Sequence, residues 1–288
     1  MPQHRVWQAD LFLLEHWEED SPLSIDAQRE EIFAKFVALE RRDREPYRKQ
    51  LEKLRRESSG NLPKNCQELL DRVRLPAERQ MQDLNWVRTC YDPSLEESWA
   101  QIQNTIENTV MGESKVFNDP SLYDFGSDWE KIFLRAPQLL ESHESIEDHE
   151  EYLQEALDYA IDAESGGADL AEDARALDSE DEDPWISFYS EYMFQLAQGR
   201  IYIVDRKTLS SKGRNAGKVI VVWFDECGRT IRYFREKVMD AAEFASLDPC
   251  YLKEYPCWEY AEIGESYDWG TPLGPPYGEG RGETCDPE

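Results

Sequence analysis

Six consecutive apolar residues, Val219-Ile220-Val221-Val222-Trp223-Phe224, constrain the fold more than any other feature of this chain. Side chains alternate between the two faces of a strand. A run without a polar position therefore cannot leave either face in water, and it reads as a central strand covered by helices. Ile201-Tyr202-Ile203-Val204 precedes it and Thr230-Ile231-Arg232-Tyr233-Phe234 follows it. Asp225-Glu226-Cys227-Gly228 joins the last two runs as a tight turn, with glycine where a positive φ is wanted. The three segments predict an antiparallel meander. A helical stripe, Trp185, Phe188, Tyr189, Tyr192 and Leu196, leads into it, and a helix at about 239–247 closes it.

Upstream the pattern is helical. Residues 24–58 read as one element entered at Ser21-Pro22 or Ser24, with a stripe of Ile25, Ile32, Phe33, Phe36 and Val37 that Pro46 divides or kinks. Arg48, Lys49, Lys53 and Arg56 form its basic side. Asn65 with Glu68 reads as a cap before Leu69, Leu70 and Val73. The clearest helix is 93–111, where Leu95, Trp99, Ile102, Ile106 and Val110 share one face. Residues 113–127 read as a loop, and a short helix surrounds Trp129 to Leu134. A further helix follows Ser145 and stops at Gly166-Gly167.

The expected fold class is α+β: a predominantly helical N-terminal part, then a three-stranded antiparallel meander flanked by helices. The expected divisions are a helical region at 1–135, an acidic helix and charge-rich linker at 136–183, the meander region at 184–270, and a disordered Gly/Pro-rich tail at 271–288. Aromatics at 12% with nine Trp supply a core for a chain of 288 residues. No apolar run approaches the ~20 residues of a membrane span. The start lacks a signal-peptide layout, since Asp10 and Glu15 bracket its short apolar stretch, so a cytoplasmic or nuclear protein is expected.

Charge is uneven. Residues 1–90 carry 16 basic and 17 acidic side chains, residues 91–199 carry 4 and 28, and residues 200–288 carry 12 and 16. Nearly all of the net −29 thus sits in the middle third. Such a field repels phosphate backbones and anionic lipid, so nucleic acid and membranes are not expected partners. Within it Glu147, Glu151, Glu155, Asp158 and Asp162 stack on one helix face without an interspersed cation. Each like-charged neighbour costs ~0.2–0.5 kcal/mol in an isolated helix. Either the basic side of residues 41–56 offsets the ladder, or a basic partner protein does.

Catalytic signatures are sparse. The six cysteines contain no C-x-x-C pair and lie far from the four histidines, so neither a structural metal nor a cofactor is expected, and the thiols read as reduced. His143 and Glu147 share a helix start without further ligands. Gly213 to Lys218 has one residue too few between its glycines for a phosphate loop and precedes a strand rather than a helix. Pro272 to Tyr277 has polyproline spacing without a flanking arginine.

Two features remain. The order helix, meander, helix resembles the core of PD-(D/E)xK nucleases, with Asp205-Arg206-Lys207 as a D-x-K triplet, although the triplet falls one strand early. That resemblance implies a hydrolase or nuclease-like enzyme using Asp205 and Lys207. The second is a basic island from Arg200 to Lys218, in which Arg200, Arg206, Lys207, Lys212, Arg214 and Lys218 stand against one acid, Asp205, with Arg206, Lys207, Lys212 and Arg214 as its candidate binding residues. It reads as a hairpin loop made soluble by charge, with an anion clamp as the functional alternative. The leading expectation is a non-catalytic interaction protein whose acidic ladder meets a basic partner. A small-molecule-binding accessory protein is the third class.

Overall fold

A computed structural model describes residues 6–58, 61–75, 85–109, 115–141, 151, 154–155, 197–210, 212–245 and 262–263. Glu147, Asp158, Asp162, His143, the linker, the Trp185–Leu196 stripe and the tail lie outside them.

The fold is α+β, and its sheet is larger than a meander. Among the described residues six strands run in the order β2-β1-β3-β4-β5-β6: β1 (Asn85–Arg88), β2 (Lys115–Phe117), β3 (Gly199–Val204), β4 (Lys218–Phe224), β5 (Thr230–Lys237) and β6 (Glu262–Ile263). Strands β3, β4 and β5 are successive antiparallel neighbours. β1 pairs parallel with both β2 and β3, which makes the sheet mixed. Residues 1–135 are therefore not purely helical, because they supply two strands. Strands of four and three residues carry too little alternation to show a period of two.

A parallel pair needs a connection that crosses the sheet. Helix α5 (Glu96–Thr109) makes it, preceded by a 3-10 turn at Pro93–Leu95. Its Trp99, Ile102 and Ile106 are buried on one sheet face with Trp86, Tyr202, Val204, Val219, Val221 and Trp223. The opposite face gathers Val87, Phe117, Ile201, Ile203, Val222 and Phe224 under Ile132, Phe133, Leu139 and Leu140. Trp223 and Phe224 thus lie on opposite faces. Gly228, at φ 76, closes the turn by donating its N–H to the Asp225 carbonyl at 3.0 Å.

Four N-terminal helices form an outer layer with its own core of Phe12, Leu13, Ile32, Phe33, Phe36, Leu70 and Val73. They are α1 (Gln8–His16), α2 (Ile25–Val37), α3 (Arg41–Ser58) and α4 (Lys64–Val73). The element expected at 24–58 breaks at residues 38–40, not at Pro46. Pro46 is the sixth residue of α3, so the bond it removes, to the Arg42 carbonyl, lies near the helix start and is tolerated. Helix α4 begins at Lys64 behind Pro63, so Asn65 is inside the helix rather than its cap.

Buried arginines fasten this layer to the rest. Arg29 donates to the Arg135 carbonyl at 2.9 Å. Arg44 donates to the carbonyls of Leu140 (3.1 Å), Val37 (3.0 Å) and Glu226. The short helices among the described residues include α6 (Pro120–Tyr123), α7 (Ile132–Arg135) and α8 (Arg206–Leu209). Helix α9 (Val238–Ala245) covers the sheet beside α5.

Candidate anion-binding site at the carboxyl edge of the parallel strands

Because β2, β1 and β3 are parallel, their carboxyl ends lie on one edge of the sheet, where open α/β sheets place their ligands. An aspartate follows each strand and fixes the next turn. Asp92 accepts from the Ser94 N–H at 2.9 Å, Asp119 from Ser121 at 2.9 Å, and Asp205 from Thr208 at 2.8 Å. These short side chains satisfy backbone donors that a helix start leaves open.

The loop after β3 is built rather than loose. Gly217, at φ 69, donates to the Thr208 carbonyl at 2.9 Å, and Gly213 is also left-handed at φ 108. The Thr208 hydroxyl lies 2.7 Å from both Asp205 Oδ1 and the Lys218 carbonyl. Arg235 of β5 donates to both carboxylate oxygens of Asp205 and to the Lys218 carbonyl at 3.1 Å. Burial alone would raise the Asp205 carboxyl, but the hydrogen bonds from Arg235 and Thr208 outweigh it and hold it below the usual range.

On this base the four island residues meet. Arg206, Lys207, Lys212 and Arg214 line one open hollow of about 420 Å³ with Leu95 on its wall. All four side chains are exposed. Arg206 reaches Asp92 at 3.0 Å, and Lys207, Lys212 and Arg214 have no ion-pair partner among the described residues. Arg200 and Lys218, the ends of the basic island in the sequence, are not among the hollow's lining residues. Sequence reasoning missed Asp92, Asp124 and Arg235, of which only Asp92 left a signal, as the residue before Pro93.

Asp225 does not supply a second carboxylate for the nuclease-like pairing. Gly199 pairs with Phe224 while Ile203 pairs with Ile220, so Asp205 and Asp225 lie at opposite ends of these strands. Asp225 accepts from the N–H groups of Cys227 (2.9 Å) and Arg229 (2.8 Å) within its own turn. Among the described residues no cluster of three or more His, Cys, Asp or Glu side chains could hold a metal, and no helix is long and apolar enough to cross a membrane.

Of the acidic ladder, Glu151 and Glu155 are described. Both are exposed, and neither forms an ion pair with a described residue. Three cations on the basic side of α3 have partners along their own helix. Arg48 closes on Glu45 at 2.6 Å and on Glu52, Lys49 on Glu45 at 3.3 Å, and Arg56 on Glu52 at 3.2 Å.

No family model, curated protein or solved structure matches this chain.

Proposed function

We propose that this is a non-catalytic binding protein that receives an anionic group in the hollow formed by Arg206, Lys207, Lys212 and Arg214. One observation carries the reading: four cationic side chains converge on a loop pinned by Asp205, Thr208 and Arg235, and three of them lack an acidic partner among the described residues. Mutual repulsion of these cations is relieved when an anion enters. The net charge of −29 opposes anions at a distance, but salt screens that field within about 8 Å at physiological ionic strength, so contact chemistry decides. An enzyme using Asp205 and Lys207 is the less supported reading, because Arg235 and Thr208 already engage the carboxylate.

Calorimetric titration of the full chain with inorganic phosphate at low salt tests the reading. Binding that K212E–R214E abolishes, with the melting temperature unchanged, is expected. Binding that survives the double reversal, or none at all, overturns it.

A second reading rests on Glu151 and Glu155. Their exposed carboxylates, without an ion-pair partner among the described residues, favour a basic partner protein over an internal offset. Salt-sensitive binding to a lysine-rich peptide that E151K–E155K abolishes is the expected result. The free thiols of Cys66, Cys90 and Cys227 support a reducing compartment, cytosol or nucleus, for either reading.

A further inference from the structure

Beside the basic hollow lies a second one of about 500 Å³, and the chemistry of its wall is opposite. It presents the carboxylates of Asp92 and Asp124 and the hydroxyl of Ser127, with Thr89 behind them. The Thr89 oxygen is buried and has no hydrogen-bond partner among the described residues. No hydrogen bond or ion pair from a described residue reaches the exposed Asp124 carboxylate. Arg206 lines both hollows and forms their common wall through its contact with Asp92.

We infer that the ligand is bipartite: a phosphorylated sugar or polyol, its phosphate among Lys207, Lys212 and Arg214, its hydroxyl groups against Asp92, Asp124 and Ser127. The inference rests on the anion-site reading and adds the class of molecule. Charge sets the orientation, because two carboxylates repel a phosphate from the second hollow while unpaired cations attract it to the first. The acceptor-rich wall suits hydroxyl groups, each of which donates a hydrogen bond to a carboxylate oxygen. A nucleobase suits it less. Tyr91 is the one aromatic side chain on that wall among the described residues, and the Arg88 guanidinium already lies over its ring at 4.5 Å. Arg206 is 74% exposed, so its pair with Asp92 is weak, and exchanging that carboxylate for a phosphate oxygen costs little. Each hollow has the size of a small-molecule site.

The test is calorimetry of the full chain with inorganic phosphate, ribose and ribose 5-phosphate as probes. Ribose 5-phosphate is expected to bind about tenfold tighter than phosphate, the worth of a hydrogen bond to a charged group, and ribose alone not measurably. Asp124→Asn should erase that gain while leaving inorganic phosphate bound no more weakly. K212E–R214E should abolish both phosphate-bearing probes. Phosphate binding that ribose 5-phosphate does not improve overturns the bipartite ligand and leaves the anion site standing. Failure of every probe overturns both. A phosphoserine peptide that binds tighter than ribose 5-phosphate also overturns the sugar phosphate, assigning the hollow to a peptide.

Discussion

Arg235 on β5 grips the carboxylate of Asp205 at the end of β3, reaching across the intervening strand β4, whose Lys218 carbonyl it also engages at 3.1 Å. The pair is the floor of the basic loop. Asp205→Asn is expected to cost about 1–3 kcal/mol of stability, the range for a part-buried charge-assisted bond, and to weaken phosphate binding by loosening the basic loop. The Asp205 carboxyl titrates below its ordinary 3.8 in the folded chain. Its contribution is therefore fully present above that value and is lost as the pH falls through the folded one. Urea denaturation midpoints should drop on acidification below about pH 4, and the Asn variant should show a smaller drop.

Gly228→Ala should destabilise the β4–β5 turn for two independent reasons. The residue holds φ at 76°, and a Cβ there would fall 2.6 Å from Phe133 Cδ2. Phe133 is itself buried and packs on Phe224 at a ring distance of 4.9 Å, so it has little room to retreat. A loss of about 1–3 kcal/mol is expected from strain and overpacking together, measured by thermal denaturation.

Arg44→Lys should fail to replace arginine. The guanidinium serves three carbonyls from three segments and lies over the Phe36 ring at 4.8 Å. An ammonium is a compact point charge that cannot span them. A loss of about 3 kcal/mol or more is expected for Lys, and a similar loss for Met, because each leaves buried carbonyls without donors. Circular dichroism melts of the two variants check this.

Cys227 should be slow to alkylate. Burial pushes its thiol up to about 11, with Asp225 adding in the same direction, so little thiolate exists at neutral pH. Mass spectrometry after iodoacetamide at pH 8 should find Cys227 largely unmodified in the native chain and modified in urea.

The element types that could be read in advance are those with long periodic patterns. Trp99, Ile102 and Ile106 repeat at helical spacing over about two turns, and Val219 to Phe224 is too apolar to lie anywhere but the sheet centre. The basic island was equally visible, as a local excess of charge. β1 and β2 were not, because each is too short for a period and acquires its strand geometry from pairing with residues far along the chain.

The sequence by itself determined that a doubly covered central strand exists, that Asp225 to Gly228 turns it back, and that Arg206, Lys207, Lys212 and Arg214 sit within one loop. All three follow from neighbours in the chain, where side-chain alternation, glycine conformation and charge spacing act directly. Tertiary structure alone decided that Asp92 and Asp124 stand beside that loop and that Arg235 anchors it through Asp205. Those contacts join residues 27 to 114 positions apart. They arise because parallel pairing carries the ends of β1, β2 and β3 to one edge, and parallel register is set by the burial of whole faces rather than by any local run of residues.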